Sequence, residues 1–317
     1  MDKFNVRVIG RSTIATNIVA LTLGGVDGQS LPAAEAGAHI EVLTPSGAVR
    51  QYSVCNAPEV ANCYRIAVLN VTDSRGGSRS MCEDVSTGDI IQISAPRNNF
   101  PLQPDSSKAY LIAGGIGITP ILAMGYELLR KNAPFEVHYC ARSASASAFL
   151  DEITRGALGA HTRLYFDDQG EAFNPSKTLA DAAKSSHLYV CGPHGFIDFV
   201  HRSAIDLGWN KENIHRELFT APASPSGENL SFEVQLASTG QVLEVQSNET
   251  IAQALQAHGI DVTLSCEQGV CGTCVTSVIS GYIDHRDSYL TDADRQRGDS
   301  IMVCCSRAKA GRLVLDI

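Results

Sequence analysis

The chain has 317 residues, with 25 Lys and Arg against 34 Asp and Glu, for a net charge of −9. At about 100–200 residues per domain this length predicts two or three domains, and a composition 44% hydrophobic and 19% charged excludes wholesale disorder. No apolar run reaches the ~18 residues of a membrane span, and the acidic balance excludes the basic face of a nucleic-acid-binding protein.

The opening residues, Met1 to Arg7, lack the apolar core of a secretory signal, which predicts a cytoplasmic protein. Short strands come next. Asn5–Ile9, Ile18–Leu23, His39–Leu43, Arg50–Val54, Tyr64–Leu69 and Ile90–Ser94 are separated by Gly, Pro, Asp and Ser clusters, the pattern of an all-β barrel or sandwich. From Ala109 the rhythm changes. Ala109–Ala113 is a continuous apolar strand, Pro120–Lys131 a helix and Glu136–Cys140 another strand. A helix near Ala148–Arg155, strand Thr162–Phe166, a helix near Lys177–Ala183, strand His187–Cys191 and helix Pro193–Leu207 follow. Strands alternating with helices imply βαβ units on a parallel sheet. The stretch from Ala221 to Asn229, rich in Pro, Ser and Gly, has the composition of a linker. Beyond it Leu230–Leu236 and Gln241–Val245 read as a hairpin, and Thr250–His258 as a short amphipathic helix.

Cysteine placement is uneven. Cys55, Cys63, Cys82, Cys140 and Cys191 are scattered singly and fit small buried thiols. Cys266, Cys271, Cys274, Cys304 and Cys305 crowd into 40 residues, which in a reducing compartment points to metal or redox chemistry. Cys266-x4-Cys271-x2-Cys274, then Cys304 after 29 residues, is the plant-type ferredoxin spacing. A [2Fe–2S] rhomb has two irons, each needing two thiolates. Three cysteines on a tight loop wrap one side, and a distant fourth closes the other. Zinc knots usually pair their ligands as two C-x2-C units, and only one such pair stands here. Cys304 and Cys305 compete for the fourth place, and spacing favours Cys304.

Two weaker motifs lie upstream. Gly115-x-Gly117-x-x-Pro120 follows the strand Ala109–Ala113, where glycines at a strand-to-helix turn let a pyrophosphate approach the backbone. The third glycine of the usual dinucleotide pattern is absent. Cys191-Gly192-Pro193 ends another strand, and carboxyl ends of parallel strands line the ligand crevice. Arg50-x-Tyr52-Ser53 and Gly76-Gly77-Ser78 offer a cation, small hydroxyls and exposed amides for a phosphate, and an aromatic face for a flat ring. Alone, each is also an ordinary structural fragment.

Together the motifs RQYS (50–53), GGS (76–78), AGGIGITP (113–120), CGP (191–193), ELF (217–219) and the Cys266 loop resemble the phthalate dioxygenase reductase family, the compact reductases of Rieske oxygenase systems. The stretches 283–288 and 300–304 resemble it too, and the likeness runs along essentially the whole chain. It implies an antiparallel β-barrel for flavin at 1–103, a doubly wound α/β nucleotide domain at 104–222, a linker at 223–229 and a β-grasp ferredoxin domain at 230–317. It implies FMN at Arg50, Tyr52 and Ser53, with Gly77 and Ser78 continuing the phosphate site, and pyridine nucleotide at Gly114, Gly115, Gly117, Thr119 and Pro120. Cys191 and Gly192 would lie near the nicotinamide, Glu217 and Phe219 near the flavin, and Cys266, Cys271, Cys274 and Cys304 on the cluster.

The resemblance further implies a monomer that carries electrons from NADH through FMN and [2Fe–2S] to a separate terminal Rieske oxygenase acting on an aromatic acid or similar small molecule. Flavin bridges a two-electron donor and a one-electron acceptor, and the protein sets distance, order and potential. Arg142 after the second nucleotide-domain strand leaves NADPH open, whereas Asp167-Asp168 after the third would repel a 2′-phosphate and favours NADH. Three other functions compete: a stand-alone flavoprotein serving a ferredoxin or another non-Rieske acceptor, a self-contained oxygenase, and a bare electron carrier. No C-x-H…C-x2-H Rieske pattern appears, and a bare carrier would need only 230–317.

Overall fold

Apolar side chains alternating with polar ones build the first layer. In the computed structural model, which describes residues 3–56, 62–71, 76–104, 107–170, 172–183, 185–219 and 229–317, six antiparallel strands follow one another through the N-terminal region. They are β1 (Lys3–Ala15), β2 (Ile18–Gly25), β3 (His39–Leu43), β4 (Val49–Ser53), β5 (Cys63–Leu69) and β6 (Ile90–Ser94), in spatial order β4-β3-β6-β1-β2-β5. The sheet closes on itself where the Cys55 amide, just past β4, donates to the Arg65 carbonyl of β5 at 2.8 Å. Val6, Val8, Leu21, Leu23, Ile40, Val42, Ile66, Val68 and Ile93 fill the interior, as period-2 alternation requires. A short helix, α1 (Gly77–Glu83), lies between β5 and β6.

The second layer is parallel. β7 (Ala109–Gly114), β8 (Phe135–Ala141), β9 (Thr162–Phe166), β10 (His187–Cys191) and β11 (Ile214–Glu217) lie in the order β11-β10-β7-β8-β9. Every residue of β7 is buried, because a central parallel strand is covered on both faces. From β7 the chain steps outward to β8 and β9, then crosses back to β10 and β11 on the other side. The order therefore reverses between β7 and β10, and a ligand crevice opens at their carboxyl ends. Helices α2 (Ile118–Arg130), α3 (Leu150–Arg155), α4 (Pro175–Leu179) and α5 (His194–Asp206) make the crossovers. The edge strand β11 is additional to the elements expected from sequence pattern.

Barrel and parallel sheet fall in one compact unit, Met1–Glu217, and Leu218–Ile317 forms another. The expected linker lies, apart from Asn229, outside the described residues. In the second unit β12 (Phe232–Leu236), β13 (Val242–Val245), β14 (Val275–Asp284), β15 (Ser300–Met302) and β16 (Arg307–Leu315) form a mixed sheet, β13-β12-β16-β14-β15. Helix α6 (Ile251–Ala257) packs its Ile251, Ala252, Ala254 and Leu255 into the core. Reciprocal capping boxes start α6 at Thr250–Gln253 and α7 (Asp292–Arg297) at Thr291–Asp294. No helix among the described residues is long and apolar enough to cross a membrane.

Candidate functional site

The expected flavin residues sit on β4 and at the start of α1. The Arg50 side chain lies across Gly77, where an added Cβ would come 3.0 Å from Arg50 Nε and 3.1 Å from its Cγ. A side chain at position 77 would press on the Arg50 side chain and displace it by a few tenths of an ångström. Arg50 Nη1 donates to its neighbour's carbonyl, Val49 O, at 2.7 Å, and Ser78 Oγ accepts from the Val71 amide at 3.3 Å. Tyr52 packs against the barrel core, burial raises its phenol well above the usual range, and its buried hydroxyl has no hydrogen-bond partner among the described residues. A buried, unpaired hydroxyl is costly, and a flat heterocycle bearing polar edges is a partner that would satisfy it. Ser53 is buried, and its Oγ donates to Glu217 Oε2 at 3.5 Å across 164 positions of sequence.

At the reversal point the glycines make a cradle. A Cβ on Gly117 would meet the Cys191 carbonyl oxygen at 2.3 Å, one on Gly192 would meet Gly114 Cα at 3.0 Å, and one on Gly114 would meet Phe196 Cδ1 at 2.8 Å. The two strand ends thus approach backbone to backbone. Gly115 to Gly117 form a single 3-10 turn running into α2, with Thr119 Oγ1 donating to the Ile116 carbonyl at 3.1 Å and Pro120 buried in the first turn. Cys191 is fully buried and pairs in register with Glu217 of β11. Burial pushes the Glu217 carboxyl up to about 8. Burial, then the neighbouring Glu217, raises the Cys191 thiol far above its ordinary value. At these paired strand ends burial thus favours the neutral form of both the carboxyl and the thiol. Phe219 is half-buried at the start of the second unit.

In the second unit the cysteine loop follows α6 without regular structure. Cys266, Cys271, Cys274 and Cys304 are 4–8% exposed, and none is in a disulfide. They fall into two pairs. Cys266 hydrogen-bonds Cys271, which lowers the Cys271 thiol and raises that of Cys266. Cys274 likewise meets Cys304, and here both thiols stand above the ordinary value, Cys274 through Cys304 and burial, Cys304 through its neighbour Cys305 and burial. No group of three or more His, Cys, Asp or Glu converges on one point among the described residues. Two thiol pairs suit a two-iron rhomb better than one mononuclear ion. Gly269 and Gly272 have φ of 69° and 77°. A Cβ on Gly269 would lie 2.5 Å from Cys305 Sγ, and one on Gly272 would strike the Tyr289 ring at 2.2 Å. Cys305 packs against Gly269 and also bears on the adjacent Cys304 thiol, whereas it is Cys304 that pairs with Cys274.

Sequence pattern did not single out Asp287, whose side chain is fully buried. Its Oδ2 accepts from the Leu290 amide at 2.8 Å and the Tyr289 amide at 3.2 Å, and its Oδ1 from Ser306 Oγ at 3.4 Å. The Ser288 amide donates to the Gly269 carbonyl at 2.9 Å. This turn braces the cysteine loop and ties it to the segment carrying Cys304. An Asp with amide donors two and three residues on is an Asx-turn, a signal present in Asp287-Ser-Tyr-Leu290.

Comparison with known proteins supports the same division. The 2Fe-2S iron-sulfur cluster binding domain family (Fer2) matches residues 234–309. The chain is 46% identical over 306 residues to the vanillate O-demethylase oxidoreductase of Pseudomonas sp. strain HR199, covering 96% of each. It is 37% identical to the phthalate dioxygenase reductase of Burkholderia cepacia, covering 98% of this chain and 96% of that one. A solved phthalate dioxygenase reductase, described as a modular structure for electron transfer from pyridine nucleotides to [2Fe-2S], superposes with a TM-score of 0.81 at 36% identity, over 99% of this chain and 98% of that one.

Proposed function

We propose, since the chain belongs to the phthalate dioxygenase reductase family of oxygenase reductases, that it takes electrons from NADH through FMN and a [2Fe–2S] cluster to a separate terminal Rieske oxygenase. Flavin supplies the step between hydride chemistry and single-electron transfer, and the cluster supplies the one-electron exit. The observation that carries this reading is the pairing of four buried, unbridged thiols in the second unit with a glycine cradle at the sheet's reversal point in the first.

In this reading Arg50 holds the flavin phosphate as a charge-assisted partner beside Gly77 and Ser78. Tyr52 lies on the flavin ring. Ser53 and Glu217 hold a hydrogen-bonding wall beside it, and the neutral Glu217 can donate where an ionised carboxylate could not. Gly114, Gly115, Gly117, Thr119, Pro120 and Gly192 admit the pyrophosphate and nicotinamide, and buried Cys191 excludes water from that end. Asp167 and Asp168 follow β9, and the Asp168 amide bonds the Arg142 carbonyl at 3.1 Å. Two carboxylates at this rim disfavour a 2′-phosphate, which supports NADH over NADPH. Cys266, Cys271, Cys274 and Cys304 hold the cluster. The ten unbridged cysteines suit the cytoplasm, and we take the working form to be a monomer. The relatives at 46% and 37% identity are named for vanillate and for phthalate systems, as expected if substrate choice sits in the oxygenase.

Anaerobic titration with NADH tests the reading. The purified protein should carry one flavin and two irons, bleach in the flavin band, and pass electrons to a cognate oxygenase. A protein without flavin, or one that NADH leaves oxidised, would overturn it.

A further inference from the structure

Ser53 to Glu217 is one place where the barrel meets the parallel sheet. A second is built on Arg65 of β5. Its Nη1 and Nη2 donate to Glu152 Oε2 and Oε1 of α3, each at 2.7 Å, a fork-on-fork arrangement that fixes angle as well as distance. The Tyr126 hydroxyl of α2 donates to the same Glu152 Oε1. The Arg65 guanidinium lies 4.7 Å above the Phe149 ring. Phe149 itself has φ 59° and ψ 19°, a left-handed conformation that a bulky residue adopts only when its surroundings impose it. Close by in sequence, Ser145 accepts from the Thr16 amide of the β1–β2 turn at 2.8 Å.

The clasp is wired to both halves of the expected reaction. On the barrel side, the Arg65 carbonyl accepts from the Cys55 amide, two residues beyond Ser53. On the other side, residues 142–152 run from the carboxyl end of β8, at the nucleotide rim, to Glu152. Stability alone explains the arrangement poorly. The two side chains are 24% and 34% exposed, and pairs that water reaches contribute little net free energy. What a bidentate pair over a strained aromatic does supply is orientation.

We propose that Arg65 is a positioning residue: clasped by Glu152 and Tyr126 over Phe149, it fixes the nucleotide domain against the barrel so that the nicotinamide bound by one meets the flavin bound by the other. This rests on the NADH-to-flavin reading above. In that reaction a hydride, one proton with two electrons, leaves C4 of the nicotinamide and adds to N5 of the flavin, so that NADH becomes NAD+ and the flavin is reduced. A misplacement of about 1 Å between the reacting atoms costs on the order of a hundredfold in rate. Loosening the clasp should therefore slow transfer within the bound complex and leave nucleotide affinity alone.

Anaerobic stopped-flow on the holoprotein tests this. In Arg65→Gln and in Glu152→Gln, flavin bleaching at saturating NADH should slow by at least about tenfold, with the NADH dissociation constant within roughly threefold of the parent. The double variant should be no slower than either single one, because one contact is lost in all three. Arg65→Lys, which keeps the charge without the fork, should fall between. Hydrogen exchange gives a readout free of turnover: the Thr16 amide should exchange faster in the variants while β7 amides do not. Tyr126→Phe removes only the third contact and gives a milder form of the same split should a charge variant fail to fold. An unchanged limiting rate, a loss confined to NADH affinity, or equally faster exchange through β7 would overturn the clasp as a positioning device. Parent protein that NADH fails to bleach would instead sink the electron-transfer reading itself.

Discussion

Replacing Glu217 with Gln should make the first unit relatively more stable in alkali. The carboxyl titrates near 8, against an ordinary value of 4.5, because burial disfavours its charged form. The folded protein therefore holds a proton that the unfolded chain has released between those values. Stability from this group is fully present below pH 4.5, declines as pH rises, and is lost once pH passes the folded value near 8. At about 1.4 kcal/mol per unit, the interval from pH 5 to pH 9 corresponds to roughly 4 kcal/mol as an upper bound. Glu217 is not fully buried, and water reaching it softens the penalty, so about 2 kcal/mol is the expected change. Urea unfolding of parent and Glu217→Gln at pH 5, 7 and 9 measures it as the growth in their stability difference. Other titrating groups are common to both proteins and cancel. A difference flat in pH would mean that Glu217 is ionised in the folded protein, and the neutral hydrogen-bonding wall beside Ser53 would have to be abandoned.

Four further outcomes are expected. Cys304→Ser should abolish or severely perturb the [2Fe–2S] EPR signal while Cys305→Ser should not, because Cys304 meets Cys274 and Cys305 packs on Gly269; reversed effects would reassign the fourth ligand. Arg50→Ala should weaken FMN binding by roughly tenfold or more, from the ~1.5–3 kcal/mol of a charge-assisted phosphate contact, and full flavin retention through dilute gel filtration would refute the assignment. Truncation after Ala223 should keep NADH:ferricyanide activity and lose cytochrome c reduction, and a flavin-free or unfolded product would move the domain boundary. Residues 230–317 hold eleven acids against six bases, so electron transfer to the oxygenase should slow with added salt as steering is screened over about 8 Å; a flat or rising rate in stopped-flow would leave the charge as a solubility feature.

Much of the fold was legible in the sequence. His39–Leu43, Ile90–Ser94, Thr162–Phe166 and His187–Cys191 fall where the apolar runs between turn residues place them. Other elements hid for physical reasons. β11 is four residues with only Ile214 buried, and its extended form comes from pairing with β10 rather than from its own composition. β14 buries only Val278 and Ile283 of its ten residues and shifts register against β16, so no period-2 signal survives. Propensity and pattern describe a residue's fit to a surface, and an edge or bulged strand presents little surface to fit.

The candidate site divides along the same line. Features set by neighbours in sequence, such as the cysteine spacing and the glycine turn before α2, carry the identity of what is bound. Features set by distant pairings carry its geometry. Ser53 meets Glu217 across 164 positions and Arg65 meets Glu152 across 87, and neither partner predicts the other. Cys304 and Cys305 make the point at the smallest scale: they are chemically identical and adjacent, yet one pairs with Cys274 while the other packs against Gly269 and its own neighbour. A cofactor motif can therefore be intact while the reaction is slow, because hydride and electron transfer depend on placements of about an ångström that the local motif does not determine. Variants at Arg65 and Glu152 should accordingly resemble the parent in colour and cofactor content and differ from it in rate, whereas variants at Arg50 or Cys304 should differ first in what the protein holds.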